Sequence, residues 1–261
     1  MPLKKTDRLI SFPVSTGTYE EMLREIVAFS HAGTSSIVCI ANVHMVVTAY
    51  QDKQFAPAVR NADIVTPDGL PLTWAMRLLF GVKQPRVAGM DLLPDLIKAA
   101  EGSGIPVYFY GGTPGMLENT CQYLNKNYPS LKIAGKFSPP FRALTADEEN
   151  EVTDMIKNSG AKIVFVVLGC PKQEKWMDMM KDKFPGVMVG VGGALPVLIG
   201  MQKRAPLWMQ KNGFEWLYRL VQEPKRLFRR YAVTNTLFVL LVVKEFIRLK
   251  IMRQKTAFQQ I

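Results

Sequence analysis

Histidine is almost missing from this chain: His31 and His44 are the only two among 261 residues, and cysteine is limited to Cys39, Cys121 and Cys170. Neither type is clustered at metal-ligand spacing, so nothing supports a structural zinc site, and a disulfide scaffold is excluded. Three scattered cysteines in apolar or mixed sequence point to a reduced, cytosolic compartment. No Asp-x-Asp element occurs, the element that commonly holds Mg²⁺ against a nucleotide diphosphate, and no Ser-His or Cys-His nucleophile pattern is evident. The G-x-G-x-x-G dinucleotide fingerprint and the P-loop lysine are missing too. No secretory leader is visible, because Met1 to Asp7 is polar and no long apolar run follows it. Internal repeats and low-complexity linkers are likewise lacking. The best membrane candidate, Leu237 to Val243, is far short of the roughly 20 apolar residues a bilayer span needs. It is expected to lie in an interface or bury against protein.

What is present is an ordinary globular composition, 48% hydrophobic and 21% charged, which excludes global disorder. Charge is unevenly placed. The formal total is +11, and Gly200 to Ile261 carries 13 Lys and Arg against 3 Asp and Glu, leaving the first 199 residues near neutral. A neutral body with a basic C-terminal segment calls for an anionic partner: nucleic acid, an anionic membrane surface or a phosphorylated substrate.

Short apolar runs alternate with amphipathic segments. Thr18 can cap a helix through Ala32 that Gly33 ends, and Thr145 to Glu148 forms a capping box. Strands are expected at Ser36–Ala41, Ala62–Thr66, Ile105–Tyr110, Leu131–Gly135, Lys162–Leu168 and Val187–Val191. Helices are expected from Leu70 and from Asp91 to Gly102. This order predicts an α/β fold, a Rossmann-like, largely parallel sheet flanked by helices. The division is expected near Met201, with an α/β core over 1–200 and a basic helical appendage over 201–261.

Ligands of parallel α/β sheets bind at the carboxyl ends of strands. Four loops fall there: Asn42-Val-His44, Thr66-Pro-Asp-Gly69, Gly111 to Gly115, and Gly169-Cys-Pro-Lys-Gln-Glu174. Asp68 can serve as a general base on a sugar hydroxyl, or can belong to a plain Asp-Gly turn. Gly111 to Gly115 reads equally as an anion cradle or a bare tight turn. Lys172 and Gln173 can hold a nucleotide or its phosphates, or can form a solvated first helical turn. In the basic segment, Pro224 suits a helix start, and Lys225, Arg226, Arg229 and Arg230 follow it. Cations at a helix N-terminus oppose the macrodipole unless an anion completes them, and arginine forks pair well with phosphate. A solvated basic face or an electrostatic membrane patch is the other reading.

Several elements recur together in order: Asp68-Gly69, Arg86-Val-Ala-Gly-Met-Asp91, Gly111-Gly112, Gly169-x-Pro-Lys-Gln-Glu174, Gly190-Val-Gly-Gly193, Lys203-Arg-Ala-Pro206 and Glu215-Trp-Leu-Tyr-Arg-Leu220. On these residues the sequence resembles the WecG/TagA/CpsF family of bacterial glycosyltransferases (glycosyltransferase family 26). The resemblance implies an inverting, metal-independent transferase with no cofactor. Its donor would be a UDP-sugar, of the N-acetylmannosamine, N-acetylmannosaminuronic acid or glucose type. Its acceptor would be a polyprenyl-diphosphate-linked sugar at the cytoplasmic membrane face, for cell-surface polysaccharide. It carries over Asp68 as base and places Arg86 and Gln173 in the active site, where together with strand-end N–H groups they would stabilise the charge of the leaving UDP. Asn42, Gly69, Asp91, Gly111, Gly112, Gly169, Pro171, Lys172, Glu174, Gly192 and Arg204 become substrate-binding positions. Arg219, Arg226 and Arg229 become ligands of the lipid diphosphate. The appendage would also dock on an anionic membrane surface, and homo-oligomerisation is associated with the core. One departure stands out: Pro196 occupies the place where the family often has Asp, which bears on donor contacts.

Two rivals come from other classes. A basic nucleic-acid-binding protein accords with the charge, but aromatic-interleaved RNA motifs and a helix-turn-helix are missing. A nicotinamide-dependent oxidoreductase accords with the sheet, but not with the missing fingerprint.

Overall fold

Strands that read as continuous apolar runs become the inner strands of a parallel sheet, because helices cover both faces. The computed structural model describes residues 3–258. A hairpin, β1 (Lys4–Leu9) and β2 (Phe12–Thr16), precedes α1 (Tyr19–Ala32), β3 (Ser36–Ala41), α2 (Val43–Gln51), α3 (Ala56–Arg60) and β4 (Ile64–Pro67). Then come α4 (Leu70–Phe80), α5 (Gly89–Ser103), β5 (Val107–Gly111), α6 (Pro114–Asn127), β6 (Ile133–Phe137) and α7 (Ala146–Asn158). The core closes with β7 (Ile163–Val167), α8 (Lys172–Met180), β8 (Val187–Gly190) and α9 (Ala194–Leu198). The basic segment is helical: α10 (Leu207–Lys211), α11 (Glu215–Gln222) and α12 (Pro224–Phe258).

Six strands pair in parallel in the order β4-β3-β8-β7-β5-β6. Alternate residues serve opposite faces, as pleating requires. Cys39, Tyr110, Val166 and Met188 enter one core, and Val38, Phe109, Phe165 and Val189 the other. The expected Thr18 cap and Thr145 capping box both form, and Thr18 too is part of a capping box, with Glu21 and Glu148 returning the bond. Strand limits move by one or two residues from the expected ones, because ladder partners rather than apolar composition end a strand.

The N-terminal hairpin was not anticipated. It packs beside β4, where Ser15 Oγ accepts the Val65 N–H at 3.0 Å. An exposed sheet edge is thereby covered. At the other end, the basic segment lies against the α/β body. The α12 side chains Leu227, Phe238, Leu241 and Val242 are buried, and Phe238 and Val242 share a core with Val46 and Met76. The Leu237–Val243 stretch thus buries one face while Val239, Leu240 and Val243 stay exposed. Among the described residues, no helix is long and apolar enough to cross a membrane. The first two residues of the expected core and the last three of the expected appendage lie outside the described residues.

Candidate active site

The ends of β3 and β4 place Asp68. Its N–H donates to Ala41 O at 2.8 Å, which ties the loop after β4 to β3. Its carboxylate Oδ1 accepts the Gly89 N–H at 3.3 Å from the first turn of α5. Burial is the largest influence on this carboxyl, and the nearby Glu215 charge adds to it. Arg86, Arg219 and the Gly89 N–H pull the other way. The result is a carboxyl pushed up from 3.8 to about 6. Such a group is ionised at neutral pH yet holds a proton more tightly than an exposed aspartate, as a general base should.

Around Asp68 stands a network of alternating charge. Arg86 Nη1 donates to Glu215 Oε2 at 2.7 Å, and Arg86 Nη2 to Asp91 Oδ2 at 3.3 Å. Arg204 ion-pairs with Asp91 Oδ1 at 2.6 Å. Both members of the Arg86–Glu215 pair are only 17% exposed, a setting where truncating one partner is costly. Glu215 and Arg219 are one helical turn apart on α11, so both reach the same cleft. The Arg219 guanidinium lies over Gly193, where a Cβ would stand 2.7 Å from its nitrogen. The basic segment therefore completes the site. Sequence reading selected Arg219, Arg86, Asp91 and Arg204 but passed over Glu215, whose position at a helix start looks like routine dipole matching.

A second group sits where β7 and β8 end. Gln173 is buried, and every amide hydrogen is committed. Its Oε1 accepts the Gly169 N–H at 3.1 Å, and its Nε2 donates to Glu174 Oε1 at 2.7 Å and to Gly190 O at 3.2 Å. In the structure this side chain is a clasp between two loops. Gly190 and Gly192 must lack side chains here, since a Cβ on either would crowd the Gln173 amide at 2.9 and 3.0 Å. Gly169 and Gly192 also take positive φ, 76° and 42°. Glu174 is fully buried, and burial pushes its carboxyl up to about 7. Pro171, which follows a cis peptide bond, caps α8, and Lys172 points outward to solvent.

The remaining expected positions are more dispersed. Asn42 caps α2, its Oδ1 accepting the Met45 N–H at 3.1 Å, and Gly69 begins α4. Gly111 lies against the Val167 carbonyl, where a Cβ would meet carbon and oxygen at 2.7 Å, and the Gly112 N–H donates to Val167 O at 3.0 Å. That N–H is spent on a strand contact. Pro196 is buried within α9. Arg226 is exposed and paired with Glu223, and Arg229 is exposed. No group of three or more His, Cys, Asp or Glu that could hold a metal occurs among the described residues.

A half-buried carboxyl and flanking guanidiniums at the strand ends suit acid–base chemistry on an anionic ligand. The Glycosyl transferase WecG/TagA/CpsF family model matches residues 8–252. The chain belongs to this family. It is a glycosyltransferase. It is 29% identical over 211 residues, 80% of each chain, to the N-acetylglucosaminyldiphosphoundecaprenol N-acetyl-beta-D-mannosaminyltransferase of Bacillus subtilis (strain 168). To the enzyme of the same name from Bacillus spizizenii (strain ATCC 23059 / NRRL B-14472 / W23) it is 31% identical over 199 residues, 76% of each chain.

Proposed function

We propose that this glycosyltransferase moves a hexose from a UDP-sugar to a sugar carried on a polyprenyl diphosphate, by single displacement with inversion and without a metal. The relatives' names support N-acetylmannosamine as donor sugar and an N-acetylglucosamine-bearing undecaprenyl diphosphate as acceptor. The observation that carries the reading is Asp68: a carboxyl held near neutrality, oriented by the Gly89 N–H, and flanked by two guanidiniums.

In this mechanism Asp68 Oδ takes the proton of the acceptor hydroxyl as that oxygen attacks the anomeric carbon. The bond to the UDP oxygen breaks, and negative charge grows on the departing diphosphate. Arg219, which makes no ion pair and lies on the glycine-rich loop, is placed to receive that charge. Arg86 is neutralised by Glu215 and Asp91, so its part is to hold the cleft together rather than to bind a second anion. Gln173 acts through the loops it clasps.

The 201–261 segment serves acceptor and membrane. Its outer surface exposes Leu207, Trp208, Val221 and Phe228 among Lys211, Lys225, Arg226 and Arg229. Apolar side chains interleaved with cations match an anionic bilayer surface. Such docking would bring the lipid diphosphate to Arg226 and Arg229 from the membrane side. The test is incubation with polyprenyl-diphosphate-linked N-acetylglucosamine and a panel of UDP-sugars, with and without EDTA, followed by mass measurement of the lipid. An added N-acetylhexosamine from UDP-N-acetylmannosamine, undiminished by EDTA, is the expected product. No mass increase with any UDP-sugar would overturn the reading.

A further inference from the structure

We infer that Arg230 and Thr234 of α12 form a phosphate-binding subsite over the ends of β3 and β7, separate from the Arg219 position and from the outward-facing Arg226 and Arg229. The inference rests on the diphosphate chemistry proposed above, and it names a part of the cleft which that reading does not use.

Arg230 and Thr234 are one turn apart, so they share a face of α12. That face is the buried one: Leu227 and Phe238 flank it in sequence, and both are inaccessible. Thr234 is 7% exposed, and its hydroxyl has no hydrogen-bond partner. The Arg230 Nε is likewise buried without an acceptor, and Arg230 forms no ion pair. Buried donors without acceptors are uncommon and costly, and they mark either strain or a missing ligand. Here two of them stand together on one helix face, close to the strand ends where α/β enzymes bind substrates.

The surroundings select an anion. Arg230 is close enough to His44, after β3, and to Cys170, after β7, for its charge to act on both. Burial and the Arg230 charge hold His44 down to about 4, so at neutral pH its ring is uncharged. Glu174 is the carboxyl on this side. Its Oε1 accepts from Gln173, its Oε2 has no partner, and burial pushes it up to about 7. Arg230 is therefore not cancelled by a fixed carboxylate, and a phosphate oxygen would satisfy the guanidinium and the hydroxyl together. That phosphate can belong to the nucleoside diphosphate donor or to the lipid-linked acceptor.

The experiment uses the full chain with Arg230→Met, Arg230→Lys and Thr234→Val. Arg142→Met serves as a comparator that removes one charge elsewhere, Arg142 being exposed and paired with Glu148 rather than left without a partner. Three ligands are used: inorganic pyrophosphate and UDP by calorimetry, and the polyprenyl-diphosphate acceptor by KM. Arg230→Met is expected to weaken pyrophosphate and one of the other two at least tenfold. Arg230→Lys should fall between it and wild type, because the charge remains and the fork is lost. Thr234→Val should act in the same direction with a smaller effect, and Arg142→Met should change nothing. The melting temperature of Arg230→Met should stay level or rise, since an unsatisfied buried donor has been removed. Weakening of UDP with an unchanged acceptor KM assigns the phosphate to the donor, and a raised acceptor KM with unchanged UDP binding assigns it to the lipid. Unchanged binding of all three ligands by folded variants overturns the subsite. If Arg230→Met does not fold, Arg230→Lys and Thr234→Val decide alone, and wild-type affinities in both reject it. A wild-type enzyme that binds pyrophosphate through Arg230 but transfers no sugar would retain the subsite and reject the proposed reaction.

Discussion

Replacing Asp68 with asparagine should make the protein more stable and nearly inactive. The amide is isosteric, and its Oδ1 can still accept the Gly89 N–H. In the native chain the carboxyl has been moved from 3.8 to about 6, so burial and the Glu215 charge outweigh Arg86 and Arg219. The sign follows from linkage. A folded-state proton affinity above the unfolded one means that the unfolded chain releases its proton first as pH rises. The carboxylate therefore costs no stability below about pH 4, costs progressively more between about 4 and 6, and costs its full amount above that window. At 1.36 kcal/mol per tenfold in proton affinity, the ceiling is about 3 kcal/mol. Asp68 is only part-buried, and solvent screening reduces the expected gain to about 1–2 kcal/mol. For a chain of this size that is a rise of roughly 2–8 °C in melting temperature at pH 7.5, shrinking to nothing near pH 4.

Loss of a general base should lower turnover by roughly 10²–10⁴-fold, with UDP affinity kept. Thermal unfolding of both proteins from pH 4 to 8 measures the first effect, and single-turnover transfer to the lipid acceptor measures the second. A stability difference that stays flat across that range would refute the account of the buried charge. Undiminished turnover would remove Asp68 from the base role.

Three further outcomes follow from the same geometry. Glu215→Gln keeps an acceptor for Arg86 but removes a negative charge that raises the Asp68 carboxyl, so the acid limb of kcat/KM should move to lower pH; an unmoved limb would mean that Glu215 only braces Arg86. Gln173→Ala leaves the Gly169 N–H and the Glu174 carboxyl without their partner, at about 1–2 kcal/mol each, so denaturant unfolding should show a loss of about 2–4 kcal/mol. Binding to anionic vesicles should fall severalfold between 0.1 and 1 M salt, where the screening length drops from about 10 to about 3 Å, whereas salt-resistant binding would point to insertion of the exposed apolar face of α12.

How much of this was legible in the sequence depends on the range of the signal. The inner strands β3, β5, β7 and β8 announce themselves because two-sided burial leaves a run of apolar residues with no polar break. The β1–β2 hairpin did not, because Pro13 interrupts its second strand and its turn residue, Ile10, takes a φ of 63° with no glycine or asparagine to mark it. Asp68 was legible from its place after a strand. Glu215 was not, because its partners Arg86 and Asp68 lie far back in the chain, and local pattern carries no information about which helix crosses which cleft.

Gln173 had two readings, a ligand of a nucleotide or a solvated first-turn residue. In the structure it is tucked beneath two loops and its amide is used up. The arginines of α12 are the instructive case, since they share chemistry and differ only in direction. The side chains Leu227, Thr234, Phe238 and Leu241 mark the inward stripe. At about 100° per residue, Arg230 falls roughly 60° from the Leu227 direction, while Arg229 falls nearly opposite. The helical phase of four residues was thus enough to separate an arginine on the buried side of the helix from one on its exposed side, once the apolar stripe is taken as the reference and charge density is set aside.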